Sequence, residues 1–405
     1  MEHLMKSVMG ETASRAARSA THILIVDDEP DLALLIQQKF RHQIKNGIFR
    51  FLSAADGVEA LEILDSEEAV DIVLTDINMP RMDGLTLLSK IRQRKNPLLK
   101  SIVISAYGDL KNIRQAMNNG AFDFITKPIN LSDLETTISK TLEELAFLRR
   151  SIESQNAYIA LQQQLAIAQD IQSALLPGSL PTASQLAPYE VFACMDSAQE
   201  VGGDFYDYFV IDPEHLGVVI GDVCGKGVPA AIFMAVSKTT IRSIGMGGGT
   251  PAECLNRVNS LLVDDSKPDY YVTVFYGILN IHTGVLEYCN AGHNLPFLIQ
   301  SENQVIPVPH SGGIPLGFVS GFQYENRSLQ LQKGDTLFMY TDGITESFDT
   351  EQREFTENKL NEVLSRNGHY PLSELCGSVL ETVHRHSNNA PQSDDMTLLG
   401  LRMRA

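Results

Sequence analysis

Three aspartates, a serine and a lysine lie at the ends of apolar runs in the first third of the chain. Asp27 and Asp28 follow HILIV, Asp76 ends DIVLTD, Ser105 lies in SIVISA and Lys127 ends DFITK. Three carboxylates can bind Mg²⁺, a hard cation that prefers oxygen ligands. Asp76 could then attack an incoming phosphoryl group, whose charge Lys127 neutralises and whose oxygen Ser105 hydrogen-bonds. The residue types therefore predict a phosphorylatable aspartate in a magnesium site.

The elements that must position these residues are five predicted strands separated by helical patterns. Apolar runs occur at 22–28, 49–56, 71–76, 101–106 and 123–128. Alternating strands and helices predict an α/β doubly wound domain with a five-stranded parallel sheet. The carboxyl ends of its strands meet at one edge. A single acid at a strand end is usually a solvated or capping residue, but five suitable residue types at successive strand ends favour one shared pocket.

This pattern resembles the receiver domain of two-component response regulators over residues 22–142. The resemblance rests on VDDEP, LTDINMPRMDG, ISAYGD and FITKP. It implies that Asp76 is the phosphoacceptor and that a sensor histidine kinase is the partner. The implied Mg²⁺ ligands are Asp27, Asp28, Asp76 and the carbonyl of Asn78. Phe124 is implied as the aromatic residue that swings inward on phosphorylation, with Ser105 and Lys127 as the other switch residues.

A second set of acids lies beside glycines or in turns of the C-terminal half. The segments are GGDFYD, GDVCGKG, YTDGITES and SDDMT, which contain Asp204, Asp207, Asp222, Asp342, Asp394 and Asp395. An Asp-Gly pair taken alone is more often a turn. Widely separated aspartates that meet in space can hold two divalent cations, which activate water and clamp a phosphate. A ligand set without His or Cys fits Mg²⁺ or Mn²⁺.

Residues 170–403 resemble the bacterial metal-dependent serine/threonine phosphatases of the PPM (type 2C) superfamily, in the branch of sporulation and stress regulators. The motifs are AIAQDIQSALLP, VGGDFYD, GDVCGKGVPAAIFMA, NAGHNLPFLI, GIPLG, YTDGITES and SDDMT. The implied ligands of two Mn²⁺ or Mg²⁺ ions are Asp204, Asp222, the carbonyl of Val223, Asp342 and Asp394. Asp395 stands where related enzymes often have Asn, and it is not assigned as a ligand.

Three further residues near these motifs keep alternative interpretations. Cys224 stands where larger eukaryotic members place a His, a candidate acid for the leaving group, so water would supply that proton here. Lys226 is either a phosphate contact or a surface lysine. His293 in AGHN is either an acid or base, or a buried residue that holds a turn.

The stretch between the two sets of motifs predicts one long helix or two abutting helices from Leu131 to about Leu176. Apolar residues at 3-4 spacing predict a coiled coil with a stutter, and hence a homodimer. The first register comprises Leu134, Ile138, Leu145, Leu148, Ile152 and Ile159. The alternative is an amphipathic helix that packs on its own domain. Pro177, Gly178 and Pro181 end the pattern.

The resulting domain prediction has four parts. Residues 1–20 form a disordered tail, 21–142 a receiver domain, 143–180 a helical coiled-coil linker and 181–405 the phosphatase domain. Strand-rich and helical blocks in the last part predict an α+β fold, a β-sandwich flanked by helices.

Composition excludes several function classes. The formal net charge of -18 over 405 residues argues against a nucleic-acid partner, because that affinity rests on clustered Lys and Arg. The five scattered cysteines contain no CxxC pair, which favours a reducing cytoplasm over a disulfide framework. No apolar run is long enough to cross a membrane, and the first twenty residues lack the apolar core of a secretory signal.

The leading hypothesis is a phosphorylation-controlled response regulator that removes phosphate from Ser or Thr on a partner protein by a two-metal-activated water. The resemblance implies that this substrate is an anti-sigma-factor antagonist. The alternative is a non-catalytic adaptor that binds partners under receiver control, which would be expected to lack the aspartate ligands. A DNA-binding response regulator is disfavoured by the acidic charge and the lack of a basic recognition helix.

Overall fold

The structure is a computed structural model, and it describes residues 20–66, 70–106, 109–178, 189–265, 270–301 and 304–404. The chain divides into two compact units, Met1–Ala160 and Leu161–Ala405. The predicted disordered tail lies outside the described residues except for Ala20. The predicted domain boundaries remain a prediction.

The first unit is built on a five-stranded parallel sheet. Its strands are β1 (Thr21–Val26), β2 (Phe49–Ala54), β3 (Ile72–Asp76), β4 (Lys100–Ala106) and β5 (Asp123–Lys127). The sheet order is β2-β1-β3-β4-β5, and every pairing is parallel. The predicted doubly wound α/β fold is therefore confirmed.

Helices connect these strands and cover both faces of the sheet. They are α1 (Pro30–Lys39), α2 (Arg41–Lys45), α3 (Gly57–Asp65), α4 (Gly84–Gln93) and α5 (Leu110–Asn118). Alternate residues of β1 pack on opposite faces, with Ile23 and Ile25 in one core and Leu24 and Val26 in the other. Burial on both faces explains the continuous apolar runs.

Helix α6 (Leu131–Leu175) is one uninterrupted helix of 45 residues. Of the two predicted arrangements, one long helix or two abutting helices, the structure therefore has the first. Leu134, Ile138 and Leu145 are buried in the core of the first unit. These three positions of the predicted seam therefore follow the alternative interpretation, a helix packed on its own domain. Beyond them, Ile167 and Ile171 are exposed. Throughout the described ranges, no helix combines the length and apolar character that crossing a membrane requires.

The described part of the second unit contains ten strands in two antiparallel sheets. The strands are β6 (Tyr189–Asp196), β7 (Phe205–Asp212), β8 (His215–Val223), β9 (Val272–Asn280), β10 (Val285–Ala291), β11 (Phe297–Ile299), β12 (Val305–Pro307), β13 (Arg327–Gln330), β14 (Thr336–Tyr340) and β15 (Met396–Met403). One sheet has the order β13-β10-β9-β8-β7 and the other β12-β11-β14-β15-β6. Val218 and Phe275 of the first sheet share a buried cluster with Met339 and Leu399 of the second. The sheets therefore pack face to face as a sandwich.

Helices cover the outer faces of this sandwich. They are α7 (Val228–Gly245), α8 (Pro251–Asp265), α9 (Asp342–Thr345), α10 (Thr356–Asn367) and α11 (Leu372–Ser387). Met234 and Leu255 of α7 and α8 pack in a cluster with the first sheet. Leu360 and Leu375 of α10 and α11 pack with the second. The predicted β-sandwich flanked by helices is confirmed.

Candidate phosphoacceptor and active sites

The structure brings the receiver aspartates together at the carboxyl edge of the parallel sheet. Each of Asp27, Asp28 and Asp76 offers a carboxylate oxygen within 4.8 Å of those of the other two. Asp27 and Asp76 are buried, whereas Asp28 is exposed. Lys127 places Nζ 3.1 Å from Oδ2 of Asp27 and 3.1 Å from Oδ2 of Asp76. Three carboxylate oxygens beside one ammonium group form a set that fits Mg²⁺ and a phosphoryl group.

Burial and charge pairing act against each other at this cluster. Burial raises the pKa of Asp76, although its hydrogen bond and charge interaction with Lys127 lower it. Burial also opposes the charge of Lys127, but its hydrogen bonds to Asp27 and Asp76 outweigh that effect and raise its pKa. The lysine therefore serves as a built-in counterion for two buried carboxylates.

The remaining predicted receiver residues surround this cluster. Ser105 is buried on β4, and its hydroxyl finds no hydrogen-bond partner within the described part of the chain. Such an orphaned hydroxyl fits the predicted phosphate contact. Phe124 on β5 is 40% exposed, and Asn78 lies in the exposed loop after β3. Their roles in metal binding and switching remain predictions.

A glycine that sequence reasoning did not assign closes the loop after Asp76. A Cβ atom at Gly84 would lie 2.0 Å from the carbonyl oxygen of Asp76, and the Gly84 N–H donates to the carbonyl of Ile77 at 2.9 Å. No side chain fits there, so the glycine lets the start of α4 lie against the end of β3. The signal was present as the MDG in the motif that contains Asp76.

The four predicted phosphatase ligands come from four segments of the sandwich. Asp204 precedes β7 and Asp222 lies near the end of β8, where the register pairs Phe205 with Gly221. Asp342 begins α9 after β14, and Asp394 lies just before β15, which pairs with β14. Antiparallel pairing thus brings acids that are distant in sequence to neighbouring strand ends.

Asp204 is the most deeply buried of these four acids. Its Oδ2 accepts hydrogen bonds from the hydroxyls of Thr341 at 2.7 Å and Thr397 at 2.6 Å. The two threonines belong to the YTDG and DDMT motifs but were missed as functional residues. The sequence did contain a signal for them, because Thr341 directly precedes Asp342 and Thr397 lies close to Asp394.

The phosphatase acids perturb one another strongly. Burial, and then the charge of Asp342, raise the pKa of Asp222 to about 7, and its carboxyl group is hydrogen-bonded to that of Asp204. Burial, and then the charge of Asp222, raise the pKa of Asp204 well above its usual range. For Asp342, burial and the charge of Asp394 also raise the pKa. The cluster holds more negative charge than its surroundings balance, so protons or bound cations must balance it.

This donor set fits hard divalent cations. It consists of carboxylates without His or Cys, which suits Mg²⁺ or Mn²⁺. Among the described residues, only the receiver trio has three such ligand atoms all within 4.8 Å of one another. The phosphatase acids therefore spread over a wider area than the receiver trio.

The carbonyl oxygen of Val223 lies 2.8 Å from the position that a Cβ of Gly203 would occupy, so residue 203 must lack a side chain there.

Two further acids of these motifs have structural partners. Asp395 accepts hydrogen bonds from the backbone N–H of Ala198 at 2.9 Å and of Gly203 at 3.0 Å. Asp207 forms ion pairs of 2.7 Å with Lys238 and with Arg242. Both carboxylates are therefore used in holding the protein backbone or balancing internal charge.

Two of the residues with alternative interpretations, Lys226 and His293, also find partners. The Nζ of Lys226 lies 2.8 Å from Oδ2 of Asp394, so this lysine is at the acidic cluster. His293 is buried, its Nδ1 lies 2.9 Å from the Thr273 hydroxyl, and the Asn290 side chain bonds its backbone N–H and C=O. Burial lowers the pKa of His293 to about 4. This agrees with a neutral histidine that holds a turn.

Fold and site together define the class: a receiver domain with a cluster of three aspartates, followed by a PP2C-type phosphatase domain with a second cluster of acids. Residues 23–139 match the family model "Response regulator receiver domain", and residues 212–404 match "Stage II sporulation protein E (SpoIIE)". The chain is therefore a receiver domain joined to a SpoIIE-type phosphatase domain.

Curated relatives and solved structures agree with this assignment. The chain is 28% identical over 269 residues to protein IcfG of Synechocystis sp., which covers 59% of this chain and 41% of that relative. It is 26% identical over 242 residues to the phosphoserine phosphatase RsbU of Bacillus subtilis, which covers 60% of this chain and 70% of RsbU. The SiaA-PP2C domain of Pseudomonas aeruginosa has the same fold, with a TM-score of 0.53 and 21% identity over 61% of this chain and 98% of that chain. The chain thus spans less than half the length of IcfG.

Proposed function

We propose that this chain hydrolyses phosphoserine or phosphothreonine on a partner protein under the control of phosphorylation at Asp76. The observation that carries the proposal is the gathering of acids from distant segments: the carboxyls of Asp204 and Asp222 are hydrogen-bonded to each other, and burial together with the charge of a neighbouring acid raises the pKa of Asp204, Asp222 and Asp342. Perturbed acids gathered in this way are typical of functional sites.

In this proposal each acid has a defined task. Asp204 and Asp222 hold one side of the cation cluster with the carbonyl of Val223, and Asp342 and Asp394 hold the other. The hydroxyls of Thr341 and Thr397 fix one oxygen of Asp204 and so orient this carboxylate. When bound, two Mn²⁺ or Mg²⁺ ions supply Lewis acidity that lowers the pKa of water and neutralises phosphate charge.

The receiver is proposed to accept a phosphoryl group at Asp76 from a sensor histidine kinase. Asp27, Asp28 and Asp76, with the carbonyl of Asn78, would hold Mg²⁺, and Lys127 lies beside both buried carboxylates. Ser105 and Phe124 would respond to the phosphate. Helix α6 runs without a break from Leu131 to Leu175 and offers a continuous element for passing that response to the second unit.

The proposed setting follows from composition and from the likeness to RsbU, which is named a phosphoserine phosphatase. We propose an anti-sigma-factor antagonist as the phosphoprotein, a homodimer as the assembly and the cytoplasm as the compartment. The five cysteines are all free thiols, which suits a reducing compartment. The acidic net charge disfavours nucleic acid as a partner.

The test is hydrolysis of an aryl phosphate and of a phosphoserine protein by the full chain with Mn²⁺. Activity is measured with and without beryllofluoride as the mimic of a phosphorylated receiver. We expect hydrolysis that requires Mn²⁺, is lost in Asp342→Ala and stays unchanged in Glu287→Gln, which alters an exposed acid on β10. In Asp76→Asn the response to beryllofluoride should disappear. Absence of hydrolysis with and without beryllofluoride would overturn the enzyme proposal, and binding of a phosphoprotein without its hydrolysis would favour the adaptor.

A further inference from the structure

The last turns of helix α6 bury one polar side chain and leave apolar ones exposed. Gln172 is 7% exposed and is the one buried residue among the described positions of α6 after Leu145. Its neighbours Ile171 and Leu175 are 61% and 36% exposed. This is the reverse of the usual order of burial, because an amide costs free energy to bury unless it is hydrogen-bonded.

Gln172 meets that requirement through a single backbone residue. Its Nε2 donates to the carbonyl oxygen of Gly202 at 2.8 Å, and its Oε1 accepts from the Gly202 N–H at 3.1 Å. Both ends of the amide are thus used, and both peptide groups of Gly202 are fixed relative to the helix. Losing one partner of such a buried pair leaves the other unsatisfied.

The same turn is held from another side by Asp395. Its two carboxylate oxygens accept from the N–H groups of Ala198 and Gly203. A Cβ atom at Gly202 would lie 1.7 Å from Oδ2 of Asp395, so the turn closes against this carboxylate only with glycine. The next residue after Gly203 is Asp204. The helix and the segment before β15 therefore hold the backbone that presents this acid.

We infer that Gln172 is a positioning residue, which fixes the Gly202–Gly203 turn so that Asp204 is held where it can bind a divalent cation. The catalytic consequence of this inference rests on the proposed function, but its structural part does not. Coupling between two sites is reciprocal. If Gln172 favours cation binding at Asp204, a bound cation must in turn stabilise the end of α6. This assigns a contact, rather than the helix as a whole, as the link between α6 and the acidic cluster.

The experiment uses the full chain in the Asp28→Asn background, so that the receiver cluster contributes little to Mn²⁺ binding. Gln172→Leu removes both hydrogen bonds at similar size. Gln169→Leu makes the same chemical change at an exposed position one turn earlier on the same helix, and serves as the matched control. Hydrogen exchange followed by mass spectrometry reports on the backbone around Gly202, and electron paramagnetic resonance reports on free Mn²⁺.

We expect Gln172→Leu to increase exchange in peptides that span residues 198–204 by about tenfold and to weaken Mn²⁺ binding by about 10–100-fold, the usual effect of losing a group that orients a metal ligand. The kcat should fall more than KM changes. In the background protein, Mn²⁺ should slow exchange at residues 168–176, and this effect should be lost in Gln172→Leu. Gln169→Leu should match the background protein in every measurement.

Exchange and Mn²⁺ affinity within twofold of the background protein would overturn the inference, as would equal effects in Gln169→Leu. If Gln172→Leu does not fold, Gln172→Glu makes the same test, because it keeps the size and the acceptor but lacks the donor at neutral pH. Exchange and Mn²⁺ binding need no substrate. A chain without hydrolytic activity would therefore overturn the proposed function while these measurements still judge Gln172.

Discussion

The two acidic clusters of this chain balance their charge in different ways. In the receiver, Lys127 lies 3.1 Å from both buried carboxylates and serves as an internal counterion. In the phosphatase domain, the buried Asp204 has two hydroxyl donors and a second carboxyl as its neighbours. The nearby lysine there, Lys226, lies at the outer acid Asp394.

Burial of an acid alone does not identify a cation site in this chain. Asp207 is as buried as Asp204 and lies three residues away, but Lys238 and Arg242 balance its charge. Asp222 is the opposite case, because burial and then the like charge of Asp342 raise its pKa to about 7. We therefore expect the phosphatase cluster to depend on divalent cations more strongly than the receiver cluster does.

The largest effect should come from removing a charge inside the unbalanced cluster. Asp222→Asn should lower Mn²⁺-dependent hydrolysis by about 10³-fold, because Lewis-acid stabilisation is worth several kcal/mol. Steady-state kinetics with a phosphoserine protein provide the measurement. Glu287→Gln is the control, and residual activity within tenfold of the native chain would contradict the expectation.

The stability of the cation-free protein should respond with opposite signs in the two clusters. Asp222 has a folded pKa of about 7, above its unfolded value, so the stability it contributes when protonated is lost as pH rises through 7. Asp222→Asn should therefore stabilise the second unit in EDTA at pH above about 7. Asp27→Asn removes a partner of Lys127 and should destabilise the first unit by about 1–3 kcal/mol. Denaturant unfolding measures the change in the free energy of unfolding for both variants. Changes of the same sign would contradict the expected difference between the two clusters.

Mn²⁺ binding at the phosphatase cluster should depend on pH. Ligands must lose their protons to bind a metal, so binding releases protons below the pKa of the ligand. With Asp222 near 7, the affinity should rise by about tenfold per pH unit below that value and level off above it. Electron paramagnetic resonance titrations in the Asp28→Asn background provide the measurement. An affinity that is flat from acidic to neutral pH would argue against this proton balance.

A smaller effect is expected from the hydroxyls that orient Asp204. Thr397→Val removes one donor and should weaken Mn²⁺ binding by about tenfold. Thr382→Val is the matched control, since that hydroxyl donates to the carbonyl of Ser378 within helix α11. A loss of similar size in both variants would assign the effect to general destabilisation.

The fold and the positions of the acids could be predicted from the sequence, whereas the environment of those acids could not. Strand-end residues such as Asp27 and Asp76 could be placed together because parallel strands share one functional edge. The perturbed pKa of Asp222 could not be predicted, because it depends on burial and on carboxyls from other strands. Leu134 and Leu145 fit a heptad seam and a receiver core equally well, since both need an apolar stripe at helical spacing.

The side chains that position Asp204 could also not be identified from the sequence. Gln172 is one of several glutamines in a long helix. It differs from the exposed Gln169 only because the Gly202 turn packs against it, and the sequence does not reveal that contact. Thr341 and Thr397 stood next to recognised acids, but their hydroxyls meet at Asp204 only once β14 and β15 pair.

The central claim is that Asp204, Asp222, Asp342 and Asp394 hold a pair of divalent cations. An anomalous difference map from crystals of the full chain grown with Mn²⁺, recorded near the manganese absorption edge, measures this directly. We expect two peaks among these four carboxylates, in addition to one beside Asp27, Asp28 and Asp76. A map with the receiver peak but no density among the four phosphatase aspartates would contradict it.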